Sequence, residues 1–362
     1  SALGRITSEP VFAAISCPHY HGSAMDGIAV NSRHTFGATE SRPLTLMLGE
    51  NAFYVDTGDP LPAGADAVIK IEDVHIDDKQ RTEIFAALPP WKNVRTVGED
   101  IVVTELILPT GHRLRPHDVG ALLAGGIVQV TVKRQPEVVV IPTGSELVQP
   151  HPEVGTGQII EFNSRVLGGM IEEWGGRAHR HEIVASEPEA FKAALEAAVQ
   201  QFDIIVINAG SSAGSKDFTP EVIGELGEVL VHGVTIMPGK PTVLAIINEK
   251  PVLGIPGYPV SAVIALECFM KPLLNKYFGA LLGERQTVRA VVSQNLPSSL
   301  GDEEFVRVKL GKVGERYVAC PLGRGSGAIS TLVRADGVIR VPRLSEGIDA
   351  QQEVDVELWR DA

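Results

Sequence analysis

Three short segments each follow an apolar run with glycine, serine and proline: "PTGSEL" at 142–147, "NAGSSAGSKDFTP" at 208–220 and "PGYPVSA" at 256–262. Glycine lets a ligand approach the backbone closely, and serine hydroxyls and the unpaired N–H groups of a helix start donate to oxyanions. The third segment shows the pattern most fully. "PVLGIPGYPVSAV" runs an apolar strand into Pro-Gly-Tyr-Pro and then into a helix pattern with Ser261 in its first turn. Such a turn presents backbone donors to an anion. Any strand-to-helix turn favours Gly, Ser and Pro for backbone reasons, so one loop says little. Three in one region predict a phosphate or nucleotide cradle drawing on Gly144, Ser211, Ser212, Gly214, Gly257, Tyr258 and Ser261. Lys240, fixed between two prolines in "MPGKP", adds a cation suited to phosphate or another oxyanion.

Carboxylates also stand at turns: Asp26 in "SAMDG", Asp59 in "TGDP", Asp100 in "GED", Glu146 in "GSEL" and Asp217 in "SKDF". Beside an anion cradle they need a reason to gather, and Mg²⁺ bridging carboxylates to phosphate oxygens supplies one. Singly, each is an ordinary turn or helix cap.

The elements that must hold these groups are legible in outline. From Pro136, near-continuous apolar strands such as 138–141 and 204–207 alternate with amphipathic helices, which predicts a parallel sheet covered on both faces: a doubly wound α/β domain. Ligands of such sheets bind outside the carboxyl ends of the strands. Before it, residues 16–104 read as short strands and turns, and 115–132 as a helix, a Gly125-Gly126 stop and a strand. From Gln286 short strands return, predicting a β-barrel or sandwich. A chain of 362 residues fits two to four domains at roughly 100 to 200 residues each.

Composition narrows the function classes. A net charge of −13 without any Lys/Arg run argues against a general nucleic-acid or anionic-membrane binder. Cys17, Cys268 and Cys320 are scattered, so neither a disulfide framework nor a zinc site is expected, and a reducing cytoplasmic setting is. No apolar run reaches the ~18 residues of a membrane span, and the first residues lack the layout of a signal peptide.

Taken in order, "SAMDGIAV", "TGDPLPAGADAVIKIEDV", "GEDI", "PTGSELV", "NSRVL", "NAGSSAGSKDFT", "MPGKPTV", "GIPGYPVSAV" and "GSGAISTLVRADGVIRVP" resemble successive landmarks of the molybdopterin molybdenumtransferase family (MoeA and the gephyrin E domain) from end to end of the chain. A family helical segment of a few dozen residues has no counterpart ahead of Ser1. The resemblance implies an elongated homodimer with four domains per subunit. These are a linking domain of 1–15 with 105–134, a β-rich domain at 16–104, a MogA-like α/β domain at 135–285 and a C-terminal β-barrel at 286–362. It implies an active site between the α/β domain and the β-rich domain of the other subunit. There, molybdate and adenylylated molybdopterin would give molybdenum cofactor with Mg²⁺-dependent release of AMP, and a molybdopterin adenylyltransferase is the implied partner.

The resemblance also assigns residues. Asp26, Asp100, Glu146, Asp217 and Lys240 match acidic and basic positions tied to activity, with Asp217 and Glu146 the metal candidates; Asp59 falls where the family varies. Ser261 matches a substrate-contacting serine, and Arg307 and Ser326 fall near molybdate contacts of the last domain. The departures are Asn208 and Ala209 for Ser and Gly, Met237 for the first lysine of "KPGKP", Tyr258 for the Asn of "PGNP", and Ser145 for the Asp of "GDEL". Loss of the lysine removes a charge-assisted hydrogen bond of about 1.5–3 kcal/mol, and Tyr258 can stack on a pterin or adenine or narrow the pocket. Three alternatives stay open: a non-catalytic pterin-binding or scaffold paralogue, a tungstate-specific enzyme, and a generic nucleotide-dependent transferase.

Overall fold

The computed structural model describes residues 2–209, 219–279 and 285–359. The chain divides into two units, Ser1–Lys133 and Arg134–Ala362.

In the first unit Gly27–Val30 runs antiparallel between Ala52–Val55 and Ala67–Lys70, and a second three-stranded sheet is formed by Leu44–Met47, Arg81–Ile84 and Val74–Ile76. Ile28, Val30, Leu46, Ile69 and Ile84 close the core between them. Gly27 is required by this packing, because a Cβ there would run into the carbonyl oxygen of Ile69. The chain start returns to the later part of the unit: Val11–Phe12 pairs with Leu106–Leu108, and Val11, Leu108, Leu114 and Leu122 share a small core. A helix at Pro116–Ala124 starts on proline and stops at Gly125. The strand expected after it is absent among the described residues. "IVQVTV" finds one partner, a bridge from Val132 to Thr7, and without a longer neighbouring ladder the alternating pattern stays irregular.

The second unit begins with β1 (Glu137–Thr143), α1 (Asn163–Glu173), β2 (Arg177–Arg180), α2 (Pro188–Gln201), β3 (Ile204–Ala209), α3 (Thr219–Leu226), β4 (Glu228–His232), β5 (Val243–Ile247), β6 (Lys250–Pro256) and α4 (Pro259–Phe278). The six strands form one sheet in the order β2-β1-β3-β6-β5-β4. β2, β1, β3 and β6 are parallel, and β5 and β4 extend the edge antiparallel. Val139, Ile141, Ile205 and Ile207 pack with Phe191 and Leu195 of α2 and Val222 and Ile223 of α3. Their sequence neighbours Val138, Val140, Ile204 and Val206 are equally buried, on the face that α1 and α4 cover. Burial on both faces explains the continuous apolar runs.

Five further strands, β7 (Thr287–Val292), β8 (Glu303–Val313), β9 (Arg316–Pro321), β10 (Gly337–Val341) and β11 (Glu353–Leu358), pair in a ring β8-β9-β7-β11-β10 that closes through β10 with β8. The α/β and β-barrel classes read from the sequence are thus both present. Helix α5 (Ile329–Arg334) precedes β10. Among the described residues no helix is long and apolar enough to cross a membrane.

Candidate functional site

Strand register brings the ends of the three strands that precede the glycine-serine segments to one edge. Thr143 at the end of β1 lies beside Ala209 at the end of β3, and Ala209 lies beside Pro256 at the end of β6. The segments that follow therefore leave the carboxyl edge of the sheet side by side, where an open α/β sheet binds ligands. A cavity of about 440 Å³ opens there, lined by Thr143, Glu146, Leu147, Ile160, Phe162, Asn163, Asn208, Gly257 and Tyr258. Its volume and mixed lining suit a small organic ligand with an apolar ring and a few polar anchors.

Two amides that sequence reading did not single out as site residues tie the edge together. Asn208, 4% exposed, donates from Nδ2 to the carbonyl of Pro256 at 2.8 Å and accepts from Asn163 Nδ2 at 2.9 Å. Asn163 also donates to the carbonyl of Gly257 at 2.7 Å. The relay joins the end of β3, the start of α1 and the turn after β6. Asn208 thereby gives a structural reason for one departure from the family pattern. The Asn of "EFNSRVL" at the head of a helix was the available signal for Asn163. Beside it, Glu161 accepts from the backbone N–H and the hydroxyl of Ser164, each at 2.7 Å, and pairs with Arg165 at 2.9 Å, so its carboxylate is occupied with capping α1.

Glu146 sits exposed at the rim, and among the described residues its carboxylate has no hydrogen-bond partner. Its carboxylate turns back over Gly144, where a Cβ would stand 2.8 Å from Leu147 Cγ and 2.9 Å from Glu146 Oε1. Gly257 and Tyr258 line the cavity. Tyr258 is 65% exposed, and its ring lies over Gly327, where an added Cβ would be 3.4 Å from Tyr258 Cδ1. Ser326 acts through its backbone: its carbonyl accepts from Val260 N at 3.0 Å, which uses one of the free donors of the α4 N-terminus. Ser261 is buried below that turn, with its carbonyl against Gly239, and does not line the cavity. Ser211, Ser212, Gly214 and Asp217 lie outside the described residues.

Lys240 is not among the lining residues. Its Nζ lies 3.3 and 3.2 Å from the two carboxylate oxygens of Asp302, a residue 8% exposed that sequence reading passed over. Next to it, Met237 and Pro238 contribute to a second cavity of about 400 Å³ with Pro297, Ser298, Ser299, Glu304, Phe305, Arg307 and Arg324. Arg307 therefore lies in a pocket distinct from that of Glu146 and Tyr258.

Asp26 and Asp100 belong to the first unit. Both are exposed. Asp26 Oδ1 accepts from the Thr57 hydroxyl at 2.7 Å and the Thr57 N–H at 2.6 Å, and these bonds hold its carboxyl below the usual range. Asp100 donates its N–H to the carbonyl of Cys17 at 3.1 Å. Asp59 accepts from Asp56 N at 3.0 Å, a local turn bond.

Among the described residues no three His, Cys, Asp or Glu side chains gather closely enough to hold a metal ion by themselves. Mg²⁺ asks for less, since it keeps several waters and takes one or two carboxylates together with substrate phosphates. The carboxylate of Glu146, unpartnered among the described residues, fits that requirement.

Comparison with known proteins finds family matches over most of the chain. Residues 1–126 match the model of the MoeA N-terminal region (domain I and II), 139–276 that of a probable molybdopterin binding domain, and 289–359 that of the MoeA C-terminal region (domain IV). A Methanocaldococcus jannaschii protein named for molybdopterin biosynthesis is 35% identical over 99% of this chain and 90% of its own length. A Haemophilus influenzae protein named molybdopterin molybdenumtransferase is 28% identical over 98% of this chain and 91% of its own. The crystal structure of a molybdopterin biosynthesis MoeA protein from Pyrococcus horikoshii superposes with a TM-score of 0.86 at 35% identity, covering 100% of this chain and 93% of that one.

Proposed function

The chain belongs to the MoeA family, and from that premise we propose that it is a molybdopterin molybdenumtransferase: it takes adenylylated molybdopterin and molybdate, joins molybdenum to the dithiolene and releases AMP. The observation that carries the reading is the cavity at the carboxyl edge of the sheet, where loops after β1, β3 and β6 start side by side. Leu147, Ile160 and Phe162 give it an apolar wall for a flat ring, and Tyr258 adds an exposed aromatic face. Asn163 and Asn208 fix the two loop ends between which the ligand would sit.

Glu146, together with Asp217, would hold Mg²⁺, which when bound neutralises charge on the pyrophosphate. Arg307 in the neighbouring cavity would receive the oxyanion, whether molybdate or tungstate, as both are tetrahedral dianions. Asp26 and Asp100 would act from the β-rich domain of a second copy in a homodimer. The setting is the cytoplasm, with a molybdopterin adenylyltransferase supplying the substrate.

A second reading, a non-catalytic pterin-binding protein, draws on one observation: the side chain of Lys240, 64% exposed and with its ammonium 3.2 Å from Asp302, does not line the cavity at the sheet edge. Purified protein mixed with adenylylated molybdopterin, Mg²⁺ and molybdate separates the two. Turnover yields AMP and molybdenum cofactor in equal amounts, whereas binding of the pterin nucleotide without AMP release supports the second reading and defeats the first.

A further inference from the structure

The cavity beside Met237 holds an unbalanced charge. Arg307 is 2% exposed. Its Nε donates to Thr331 Oγ1 at 3.2 Å, and its Nη2 donates to the carbonyls of Gly323 at 2.6 Å and Gly325 at 3.4 Å. All three acceptors are neutral, and among the described residues no acceptor meets Nη1. A guanidinium keeps its proton under any ordinary condition, and burying it without a counter-charge is costly. Burial pushes Arg307 below its ordinary value, with Glu304 opposing and Arg324 adding to the effect, so both groups are near enough to be felt.

Glu304 is the one carboxylate lining this cavity, and it lies 3.4 Å from Arg324 Nη1. Two guanidinium groups against one carboxylate leave a positive charge uncompensated. Ser298, on the same wall, has its hydroxyl oxygen buried and without a partner. A buried cation with an unused N–H face and an unused hydroxyl are what an oxyanion would satisfy. Met237 contributes no charge here. Arg324 does, from a side chain 39% exposed that is held by the Pro297 carbonyl at 2.6 Å.

We infer that Arg324 is the second oxyanion-binding cation of this cavity, acting with Arg307 and the hydroxyl of Ser298 on a tetrahedral dianion and supplying the positive charge that Met237 lacks. The identity of the dianion as molybdate or tungstate rests on the function proposed above; the role of Arg324 does not. Arginine suits the task because its planar fork offers paired N–H groups to neighbouring oxygens.

The full chain is titrated calorimetrically with molybdate, tungstate, sulfate and phosphate in parallel, and with AMP as a probe of the other cavity. Arg324→Gln is expected to weaken the preferred dianion about tenfold or more, the loss of one charge-assisted hydrogen bond. Arg324→Lys should recover part of the loss, and Met237→Lys in the Arg324→Gln background should recover more, with AMP affinity unchanged throughout. Preference for sulfate or phosphate, still lost in Arg324→Gln, upholds the inference and counts against the molybdenum reading. Molybdate binding that Arg324→Gln leaves within twofold overturns the inference and leaves that reading standing. Absence of any dianion binding at millimolar concentration overturns the inference as well.

Discussion

Replacing Asn208 by alanine tests whether the loops at the sheet edge are held by the amide relay or only by the strands beneath. The substitution removes a donor to the Pro256 carbonyl and an acceptor from Asn163 Nδ2, while Asn163 keeps its bond to Gly257. The site is 4% exposed, so water does not readily replace the missing partners. One hydrogen bond contributes about 1 kcal/mol net, and a buried group left without a partner costs about 1–3 kcal/mol, which puts the expected loss at about 2–4 kcal/mol. Asn208→Asp should cost more than alanine at neutral pH, because it sets a buried negative charge against the Pro256 carbonyl oxygen. Urea unfolding followed at Trp174, the residue that ends α1, reads the stability of this domain. The same variants should lose affinity for AMP, since the end of β6 that leads into the turn of Gly257 and Tyr258 loses its side-chain tie to β3. A loss under about 0.5 kcal/mol for Asn208→Ala, or an Asp variant milder than the Ala variant, would refute the reasoning.

Three other outcomes follow from the structure. Gly27→Ala should destabilise the first unit by about 1–3 kcal/mol, read as a lowered melting temperature, because the new methyl meets the Ile69 carbonyl inside a paired strand. Asp118 is buried and bonded first by Arg115 and also by His112, which hold its carboxyl well below the usual range. Its folded value is depressed, so the stability it contributes is complete above the unfolded carboxylate range near about pH 4 and declines as pH falls below it; Asp118→Asn should flatten that part of the stability–pH curve in urea titrations. Burial pushes the Cys268 thiol up to about 12, so timed alkylation with mass spectrometry should label exposed Cys320 well before Cys268 in the native protein.

The architecture was legible because each domain writes its burial into the chain. Strands covered on both faces must be apolar at every position, and 138–141 and 204–207 are; barrel strands alternate, as in Glu353–Leu358. The side-by-side start of the three loops also followed, since parallel strands with helical crossovers end on one edge. What did not follow was pairing at long separation. "IVQVTV" alternates well enough for a strand, but its partner segment near Thr7 supports a single bridge. Local pattern records what a residue would bury, and only the fold decides whether a neighbour is there to receive it.

The same limit governs the site. Lys240 reads as an anion ligand from its rigid setting in "MPGKP"; its side chain, 64% exposed, also places the ammonium beside Asp302, 62 residues further on. Ser326 looked like a polar contact and instead lends its carbonyl to α4, which leaves that helix start with fewer donors for an anion than its sequence promised. In both cases a group read as available also has a partner within the chain. Where the balance runs the other way, at Arg307 with its neutral partners and at the orphaned hydroxyl of Ser298, polar capacity is left over inside a cavity. Unspent hydrogen-bonding capacity in a buried place is unstable unless something arrives to use it. That criterion points to the pocket of Arg307 and Arg324, which Met237 and Pro238 of the lysine-bearing turn also line, as the place where an oxyanion would be satisfied.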